Sequence, residues 1–241
     1  MTKLSIIIPI FNEIKTIEKV LMRINKLKIK QISKEIIVVD DKSTDGTENF
    51  LKKNEKKYKF KLIKLKTNSG KGFAVRAGLK KVTGDIILIQ DADLEYKIEE
   101  YPALLKPILK GYASFVIGSR HLLTNEWHSR QFLDSMFYAK VLNIGSILYS
   151  RLVNLLYGIN ITDPGTAYKV FKKECLTDIK FRSKYFDIDW EMIAKFTKKG
   201  ILPYEVPISY RSRSPKEGKK IRIMPDGFLI FWAIIKYRFI D

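Results

Sequence analysis

The 241-residue sequence contains only one cysteine, Cys175, and only two histidines, His121 and His128. A single cysteine excludes an intramolecular disulfide framework and a cysteine-rich zinc site. We therefore expect Cys175 to be a small thiol in the core. Both histidines fall in a polar stretch, and we expect them to lie on the surface or in a loop rather than to bind a metal.

Long hydrophobic runs are also missing from the sequence. The late apolar stretch at residues 227–235 is far shorter than the ~20 residues that a transmembrane helix needs. The first apolar run is interrupted by Pro9 and lacks a small-residue cleavage site, so it does not resemble a signal peptide. We therefore expect a cytoplasmic protein without a transmembrane span.

Acidic residues are scarce relative to basic ones: 26 Asp and Glu face 45 Lys and Arg, which gives a net charge of +19. This excess favours an anionic partner, such as nucleic acid, a lipid headgroup surface or a phosphorylated substrate. A nucleic-acid-binding module is the weakest of these interpretations. The basic residues are scattered, no RNP-type or helix-turn-helix signature is present, and the acidic pairs described below would repel phosphate.

Short runs of Ile, Val and Leu alternate with amphipathic stretches along the chain. This alternation predicts βαβ units and an α/β fold with a mostly parallel central sheet flanked by helices. Strands are predicted at residues 4–10, 35–40, 61–65, 85–90, 114–118, 166–171 and 202–208. Helices are predicted at residues 16–27, 44–57, 72–82, 98–109, 132–157, 190–199 and 226–237, with Thr44 or Asp45 as the cap of the second.

The chain has no internal repeat and no Gly/Ser-rich linker, so we expect residues 1–241 to form one domain. The stretch 132–157 carries a single apolar stripe. That stripe is typical of a core-packing helix or of a helix that lies on a membrane surface, and both alternatives stay open.

The sequence Asp91-Ala92-Asp93 comes directly after the predicted strand at residues 85–90. In open α/β sheets, ligands bind beyond the carboxyl ends of the strands. Two carboxylates at this place can hold a hard divalent cation, which in turn neutralises diphosphate oxygens. Glu95 follows two residues later and could complete the set of ligands.

A second acidic pair, Asp40-Asp41, follows the strand at residues 35–40. Asp40 can accept a hydrogen bond from a ribose hydroxyl or a base N–H. At the end of the first strand, Glu13 could contact a base edge and Phe11 its face. The segment 68–72 adds small residues and the cation Lys71, but it is neither a Walker loop nor a G-x-G-x-x-G motif.

Five segments in this order resemble family 2 glycosyltransferases of the GT-A fold, which is a Rossmann-like α/β architecture. The segments are I-I-I-P-I-F-N-E (6–13), V-V-D-D-K-S-T-D-G-T (38–47), N-S-G-K-G (68–72), Q-D-A-D-L-E-Y (90–96) and G-S-R (118–120). Two later segments resemble the branch that contains dolichol-phosphate mannose synthase and bacterial polyprenyl-phosphate glycosyltransferases. These are T-D-P-G-T-A-Y-K-V-F (162–171) and Y-R-S-R-S-P-K-E-G-K-K-I (210–221).

The resemblance implies a role for each of these positions. Residues 1–120 would bind the nucleotide sugar, and residues 121–241 would form the acceptor side, with a basic flap at 211–222 and a C-terminal helix. The nucleotide-sugar contacts would be Pro9, Phe11, Glu13, Val38, Asp40, Lys71, Asp91, Ala92 and Asp93. Mg²⁺ or Mn²⁺ would be held by Asp91, Asp93 and Glu95, and phosphates would be contacted by Arg120, Arg213 and Lys219.

The expected activity is a metal-dependent, inverting transfer of a hexose from GDP- or UDP-sugar to polyprenyl or dolichyl phosphate. Asp93 would be catalytic through the cation, which takes up charge on the leaving diphosphate. A lipid phosphate is already ionised near pH 7, so no strong base is required. The alternative acceptor is a saccharide hydroxyl of a cell-surface polysaccharide, for which Asp163 is the candidate base; Asp163 could also simply start a turn before Pro164.

Two departures from the family pattern affect these expectations. Lys42 stands where the family usually has Gly, so the turn must either avoid a positive φ or tolerate strain. The order Glu217-Gly218-Lys219-Lys220 replaces Gly-Glu-Ser-Lys, which leaves the choice between Lys219 and Lys220 open. The positive charge and the amphipathic stretches 132–157 and 227–239 also lead us to expect peripheral binding at the cytoplasmic face of an anionic membrane.

Overall fold

The computed structural model describes residues 1–122, residue 130 and residues 136–240. The strands are β1 (Thr2–Ile10), β2 (Ile32–Asp40), β3 (Phe60–Lys64), β4 (Ile86–Ile89), β5 (Phe115–Ser119), β6 (Lys169–Lys172) and β7 (Pro203–Pro207). The α-helices are α1 (Ile17–Lys26), α2 (Thr47–Tyr58), α3 (Lys71–Leu79), α4 (Tyr101–Leu109), α5 (Met136–Tyr157), α6 (Ile188–Lys198) and α7 (Ile223–Phe239).

The described strands form one sheet in the order β3-β2-β1-β4-β6-β5-β7. Parallel pairs join β1 to β2 and β4, β2 to β3, and β5 to β7, whereas β6 runs antiparallel between β4 and β5. The predicted α/β fold with a mostly parallel sheet is therefore confirmed. Because β1, β2 and β4 are mutually parallel neighbours, their carboxyl ends meet at one edge of the sheet.

Both faces of the sheet are covered, which explains why its strands read as continuous apolar runs. On β1, Ile6 and Ile8 join the core cluster that includes residues of α1, α2 and α4. Ile7 points to the opposite face and joins a second cluster with residues of α3, α5, α6 and α7. Cys175 is buried in this second cluster, as predicted. His121 is buried as well, and it lies in the loop after β5, which was one of its two expected places.

Helix α2 begins later than predicted. Its N-cap is Gly46, with a φ of 96°, so the predicted cap at Thr44 or Asp45 is wrong. Asp45 still stabilises the first turn of α2 from outside the helix, because its Oδ1 accepts hydrogen bonds from the Thr47 N–H at 3.0 Å and the Thr47 hydroxyl at 2.6 Å. A glycine at the cap tolerates the left-handed conformation that lets the chain turn before the helix.

The turn that follows β2 tolerates strain. Lys42 has a φ of 64° and is exposed, so a side chain occupies the left-handed region that usually favours glycine. Strand β6 begins at Lys169, three residues later than predicted, because residues 163–166 form a turn in which the Thr166 N–H donates to the Asp163 carbonyl. His128 and the predicted helical residues 132–135 lie outside the described residues.

Throughout the described part of the chain, no helix has both the length and the apolar character that a membrane crossing would demand.

Candidate active site

A cavity of about 700 Å³ opens at the carboxyl ends of β1, β2 and β4. The basic flap at residues 211–222, Tyr210 just before it, and parts of α5, α6 and α7 form its other walls. Most of the predicted site residues line it, namely Pro9, Phe11, Glu13, Lys71, Asp91, Ala92, Asp93, Glu95, Arg120, Arg213 and Lys219. Val38, Asp40 and Asp163 are not among the lining residues.

Val38 is a core residue in this structure. It lies within β2, in register with Ile8 and Leu62, and exposes no surface. The predicted contact between Val38 and the nucleoside stays a prediction, and the Val38 side chain is packed in the core rather than at the cavity. The residue type fits a buried strand and by itself gives no signal of binding.

The two carboxylates that follow β2, Asp40 and Asp41, have different surroundings. Asp40 is buried and accepts a 3.3 Å hydrogen bond from the Ser43 N–H, and its Oδ2 has no partner among the described residues. Burial raises the pKa of Asp40. Asp41, which lines the cavity, accepts hydrogen bonds of 2.7 Å from the N–H groups of Ser69 and Gly70. Asp41 thus fixes the loop at residues 68–70, which positions Lys71 at the start of α3.

Lys71 lies between two carboxylates. Its Nζ is 3.0 Å from Asp91 Oδ1 and 3.2 Å from Asp189 Oδ2. Burial would lower the pKa of Lys71, but the charges of Asp189 and Asp91 outweigh burial and raise it. Asp189, in the first turn of α6, was not predicted from the sequence.

The carboxylates of Glu13, Asp91, Asp93 and Glu95 form an acidic pocket. Arg213 of the flap bridges Glu13, which follows β1, and Asp93, which follows β4. Its Nη1 and Nη2 donate to the two carboxylate oxygens of Glu13 at 3.0 Å, and Nη2 also donates to Asp93 Oδ2 at 3.2 Å. Burial opposes ionisation of Glu13, but hydrogen bonds from Arg213 and Lys220 lower its pKa. Burial, followed by the charges of Glu95 and Asp91, raises the pKa of Asp93.

Glu95 anchors the flap. It accepts hydrogen bonds from Lys219 Nζ at 2.9 Å, the Tyr210 hydroxyl at 2.7 Å and the Arg213 N–H at 2.7 Å. Lys220 reaches Glu13 Oε1 at 2.6 Å, so both lysines that the sequence left open contact the pocket, on different carboxylates.

The predicted set of three metal ligands is not assembled in the structure. Within residues 1–122, 130 and 136–240, no three His, Cys, Asp or Glu side chains form a group that could hold a metal ion. The reason is that each carboxylate turns toward a different cation: Asp91 toward Lys71, Asp93 toward Arg213 and Glu95 toward Lys219.

Arg120 and Asp163 form a fully buried ion pair. Arg120 Nε and Nη2 each lie 2.6 Å from one carboxylate oxygen of Asp163, and the Arg120 N–H donates to the same carboxylate at 3.0 Å. Asp163 exposes no surface. Burial would raise its pKa, but Arg120 lowers it to about 2. A buried carboxylate with so low a pKa is poorly suited to accept a proton, so this geometry disfavours Asp163 as a general base.

Arg130 is a further cation at the cavity that sequence reasoning missed. Among the described residues, its Nη1 makes two long contacts of 3.4 Å, to the Leu142 carbonyl and to Asn143 Oδ1. Its buried Nε has no partner among the described residues. Burial and the nearby charge of Arg120 lower the pKa of Arg130. No signal in the sequence pointed to Arg130, because it follows a polar stretch without a recognisable motif.

The far wall of the cavity is apolar. Leu142 and Tyr149 of α5 face Ile223 and Ile230 of α7 there. The two helices are joined by a 3.0 Å hydrogen bond from the Tyr149 hydroxyl to the Gly227 carbonyl. Their outer surface exposes large apolar side chains, namely Met136, Phe137, Ile144, Leu148, Leu155, Met224, Phe228, Phe231, Trp232 and Phe239. The cavity therefore joins a charged end to an apolar end.

The family model for glycosyl transferase family 2 matches residues 5–179. The chain belongs to glycosyl transferase family 2. The dolichol-phosphate mannosyltransferase of Pyrococcus furiosus is 30% identical over 91% of this chain and 60% of that protein. The UDP-N-acetylglucosamine–dolichyl-phosphate N-acetylglucosaminyltransferase of Methanococcus voltae is 29% identical over 95% of this chain and 94% of that protein. The predicted family and branch are confirmed.

Coverage of the relatives is uneven: this family 2 chain spans 60% of the P. furiosus protein and 53% of the hexosyltransferase Agl6 of Haloferax volcanii, which is 27% identical. Among solved structures, glucosyl-3-phosphoglycerate synthase of Mycobacterium tuberculosis superimposes with a TM-score of 0.72 at 20% identity. The match covers 100% of this chain and 80% of that one. This likeness concerns the fold alone, and it confirms the predicted GT-A fold.

Proposed function

We propose that this family 2 protein is a metal-dependent, inverting glycosyltransferase that moves a hexose from GDP- or UDP-sugar to polyprenyl or dolichyl phosphate. The observation that carries the proposal is the cavity itself, which joins an acidic pocket at the sheet edge, the two arginines Arg120 and Arg130, and an apolar wall. Relatives named as dolichyl-phosphate transferases of mannose, N-acetylglucosamine and glucose support it. The chain would act as one domain, with residues 1–120 on the donor side and residues 121–241 on the acceptor side.

Phe11 and Asp40 would bind the nucleoside at the donor end, and Asp91 and Asp93 would hold Mg²⁺ or Mn²⁺. The fit of a cation rests on Asp93, since burial and then the charges of Glu95 and Asp91 raise its pKa, and a divalent ion would favour its ionised form. The M. tuberculosis neighbour has been crystallised with Mn²⁺ and UDP, and also with Mg²⁺ and UDP. A bound cation would supply Lewis-acid stabilisation of the leaving diphosphate.

The flap would provide the remaining positive charge for the leaving diphosphate. Arg213 and Lys219 are held over the pocket by Glu13, Asp93 and Glu95. When a diphosphate enters, these cations would exchange carboxylate partners for phosphate oxygens and form charge-assisted hydrogen bonds. Such bonds lower the barrier because negative charge builds on the diphosphate as the sugar departs.

At the acceptor end, Arg120 and Arg130 would bind the lipid phosphate. Arg120 is neutralised by Asp163, whereas Arg130 has no carboxylate among the described residues that pairs with it. An anion beside Arg130 would compensate its buried charge. An ionised phosphate needs no base, which agrees with the burial of Asp163. The alternative hydroxyl acceptor would need a base, and Asp163 is poorly placed to be one.

The outer surface of α5 and α7 would bind an anionic membrane from the cytoplasmic side. Its exposed apolar side chains are flanked by Lys140 and Arg151 on α5 and by Arg238 on α7. Cations beside an apolar face add electrostatic attraction to anionic headgroups, about 1 kcal/mol each.

Sedimentation with vesicles tests this membrane contact. The protein should sediment with phosphatidylglycerol vesicles and much less with phosphatidylcholine vesicles. Phe228→Glu with Trp232→Glu should abolish the binding, whereas the control Tyr112→Glu, on the exposed turn after α4, should not. Equal binding by all three proteins would contradict the proposed surface.

The activity itself is tested with radiolabelled GDP-mannose, UDP-glucose and UDP-N-acetylglucosamine, each with undecaprenyl or dolichyl phosphate and Mg²⁺ or Mn²⁺. Label in an organic-extractable, mild-acid-labile product supports the lipid phosphate acceptor, whereas label confined to water-soluble glycan supports the hydroxyl acceptor. Asp93→Asn should abolish turnover. Asp85→Asn, an exposed aspartate at the other end of β4, should leave turnover intact. Failure of every donor to bind or react would overturn the proposal.

A further inference from the structure

Glu205 is a half-buried carboxylate on β7, the strand at one edge of the sheet. In the pairing of β5 with β7 it lies beside Ile117, so its side chain is on the face of the sheet that α5 covers. It is not among the described residues that line the cavity. An effect of Glu205 on the site must therefore pass through other residues.

Glu205 accepts three hydrogen bonds from two consecutive residues. Its Oε2 accepts one from the Thr162 N–H at 2.8 Å, and its Oε1 accepts two, from the Thr162 hydroxyl at 3.0 Å and the Asp163 N–H at 2.9 Å. All three partners donate, so this position requires a group that only accepts, as an ionised carboxylate does. A glutamine would turn its NH₂ group toward at least one of these donors.

The segment that Glu205 holds reaches the cavity through one ion pair. Asp163 exposes no surface, and its two carboxylate oxygens lie 2.6 Å from Nε and Nη2 of Arg120. A two-pronged pair of this kind fixes the plane of a guanidinium as well as its position. Arg120 lines the cavity. The orientation of Arg120 therefore depends on where the backbone of Asp163 lies, and Glu205 holds that backbone.

Two further contacts confine Arg120. The Thr162 hydroxyl lies 2.6 Å from the hydroxyl of Ser119, which ends β5 and directly precedes Arg120. The Arg120 guanidinium also lies over the ring of Tyr210, 4.9 Å from the ring centroid. Because a misplacement of about 1 Å at a site can cost about 100-fold in rate, a weaker hold on residues 162–163 should have a measurable effect.

We infer that Glu205 is a positioning residue for the acceptor: it fixes Asp163, which in turn orients Arg120 toward the phosphate of the lipid. This inference rests on the proposed function, in which Arg120 binds that phosphate. The donor pocket is built at the ends of β1, β2 and β4, and β6 and β5 separate β4 from β7. Loss of the Glu205 carboxylate should therefore impair use of the acceptor and spare use of the donor.

Steady-state transfer of radiolabelled sugar to undecaprenyl or dolichyl phosphate tests the inference. The donor is whichever of GDP-mannose, UDP-glucose and UDP-N-acetylglucosamine the unaltered protein uses, and donor and acceptor are varied separately. Glu205→Gln should raise the KM for the lipid phosphate about 10-fold, roughly the worth of one hydrogen bond to a charged group. The kcat and the KM for the nucleotide sugar should stay within about threefold, whereas a general loss of structure would change them as well.

Glu35→Gln is the matched control. Glu35 is a buried glutamate on β2 that also accepts backbone hydrogen bonds, from the N–H groups of Thr83 and Gly84, but at the amino ends of the strands. Its replacement should lower the melting temperature and leave both KM values unchanged.

A milder change covers the case in which Glu205→Gln does not fold. Thr162→Val removes one of the three hydrogen bonds to Glu205 and keeps both N–H groups, so it should raise the acceptor KM by about threefold and leave the donor KM unchanged. An equal rise of both KM values in the folded variant, or no rise of either, would overturn this inference alone. If the unaltered protein transferred sugar to neither lipid, the proposed function would fail and this inference with it.

Discussion

Replacing Asp163 by Asn tests whether this carboxylate is structural or catalytic. The change removes the negative partner of Arg120, whose guanidinium is buried and lies 2.6 Å from Asp163. Breaking a buried ion pair by removing one partner costs about 3–5 kcal/mol. The lowering of the pKa of Asp163 to about 2 corresponds to a stabilisation of roughly 2–3 kcal/mol, which is of similar size. For a chain of this length, we expect the melting temperature to fall by roughly 6–20 °C.

The contribution of Asp163 to the free energy of unfolding should depend on pH in a defined direction. Because folding lowers the pKa of Asp163, its stabilising effect is complete above the ordinary aspartate pKa of about 3.9 and is lost as the pH falls toward 2. Chemical denaturation of both proteins should therefore show a constant difference at neutral pH that shrinks below about pH 4. The exposed carboxylate of Glu174 provides a control, since Glu174→Gln should change the free energy of unfolding by less than about 1 kcal/mol.

A second variant separates the two roles of Asp163. Arg120→Met combined with Asp163→Asn should be less destabilised than Asp163→Asn alone, because no unpaired charge then remains buried. If Asp163→Asn kept the melting temperature of the unaltered protein but lost turnover more than hundredfold, the carboxylate would be catalytic. That result would refute the structural role argued here.

Three other predictions concern the scaffold and the donor pocket. Glu35→Gln should lower the free energy of unfolding, measured with denaturant, by about 1–3 kcal/mol. Burial opposes ionisation of Glu35, but its hydrogen bonds outweigh burial and lower its pKa to about 2. The stabilisation should therefore vanish as the pH falls from about 4.5 toward 2. Gly70→Ala should abolish nucleotide binding by calorimetry, because its φ is +92° and an added Cβ would overlap the backbone oxygen of Lys184. Gly111→Ala, at φ +76° in open space, should cost only about 1 kcal/mol, and equal effects of the two changes would contradict this account. Because burial and then the charges of Glu95 and Asp91 raise the pKa of Asp93 to about 7, Mn²⁺-dependent nucleotide binding should weaken as the pH falls from about 8 to 6, and a flat profile would contradict this account.

The sequence alone locates the acidic pocket because that pocket depends on local order. Asp91 and Asp93 follow a short apolar run, rich in Ile, that is typical of a buried strand, and ligands bind where such strands end. Glu13 and Asp41 follow neighbouring strands in the same way. Parallel pairing of β1, β2 and β4 then brings the three strand ends together, and the structure confirms that arrangement.

The tertiary structure decides which charges meet. Arg213 pairs with Glu13 across 200 residues, and Lys71 reaches Asp189 across 118. Spacing along the chain cannot predict such contacts, because they depend on how distant elements pack and on which rotamers remain free. For the same reason, Asp163 looks like a reactive carboxylate in the sequence and is a buried partner of Arg120 in the fold. Sequence order thus determined the sheet edge and its acidic residues, whereas only long-range packing determined which carboxylates pair with which cations.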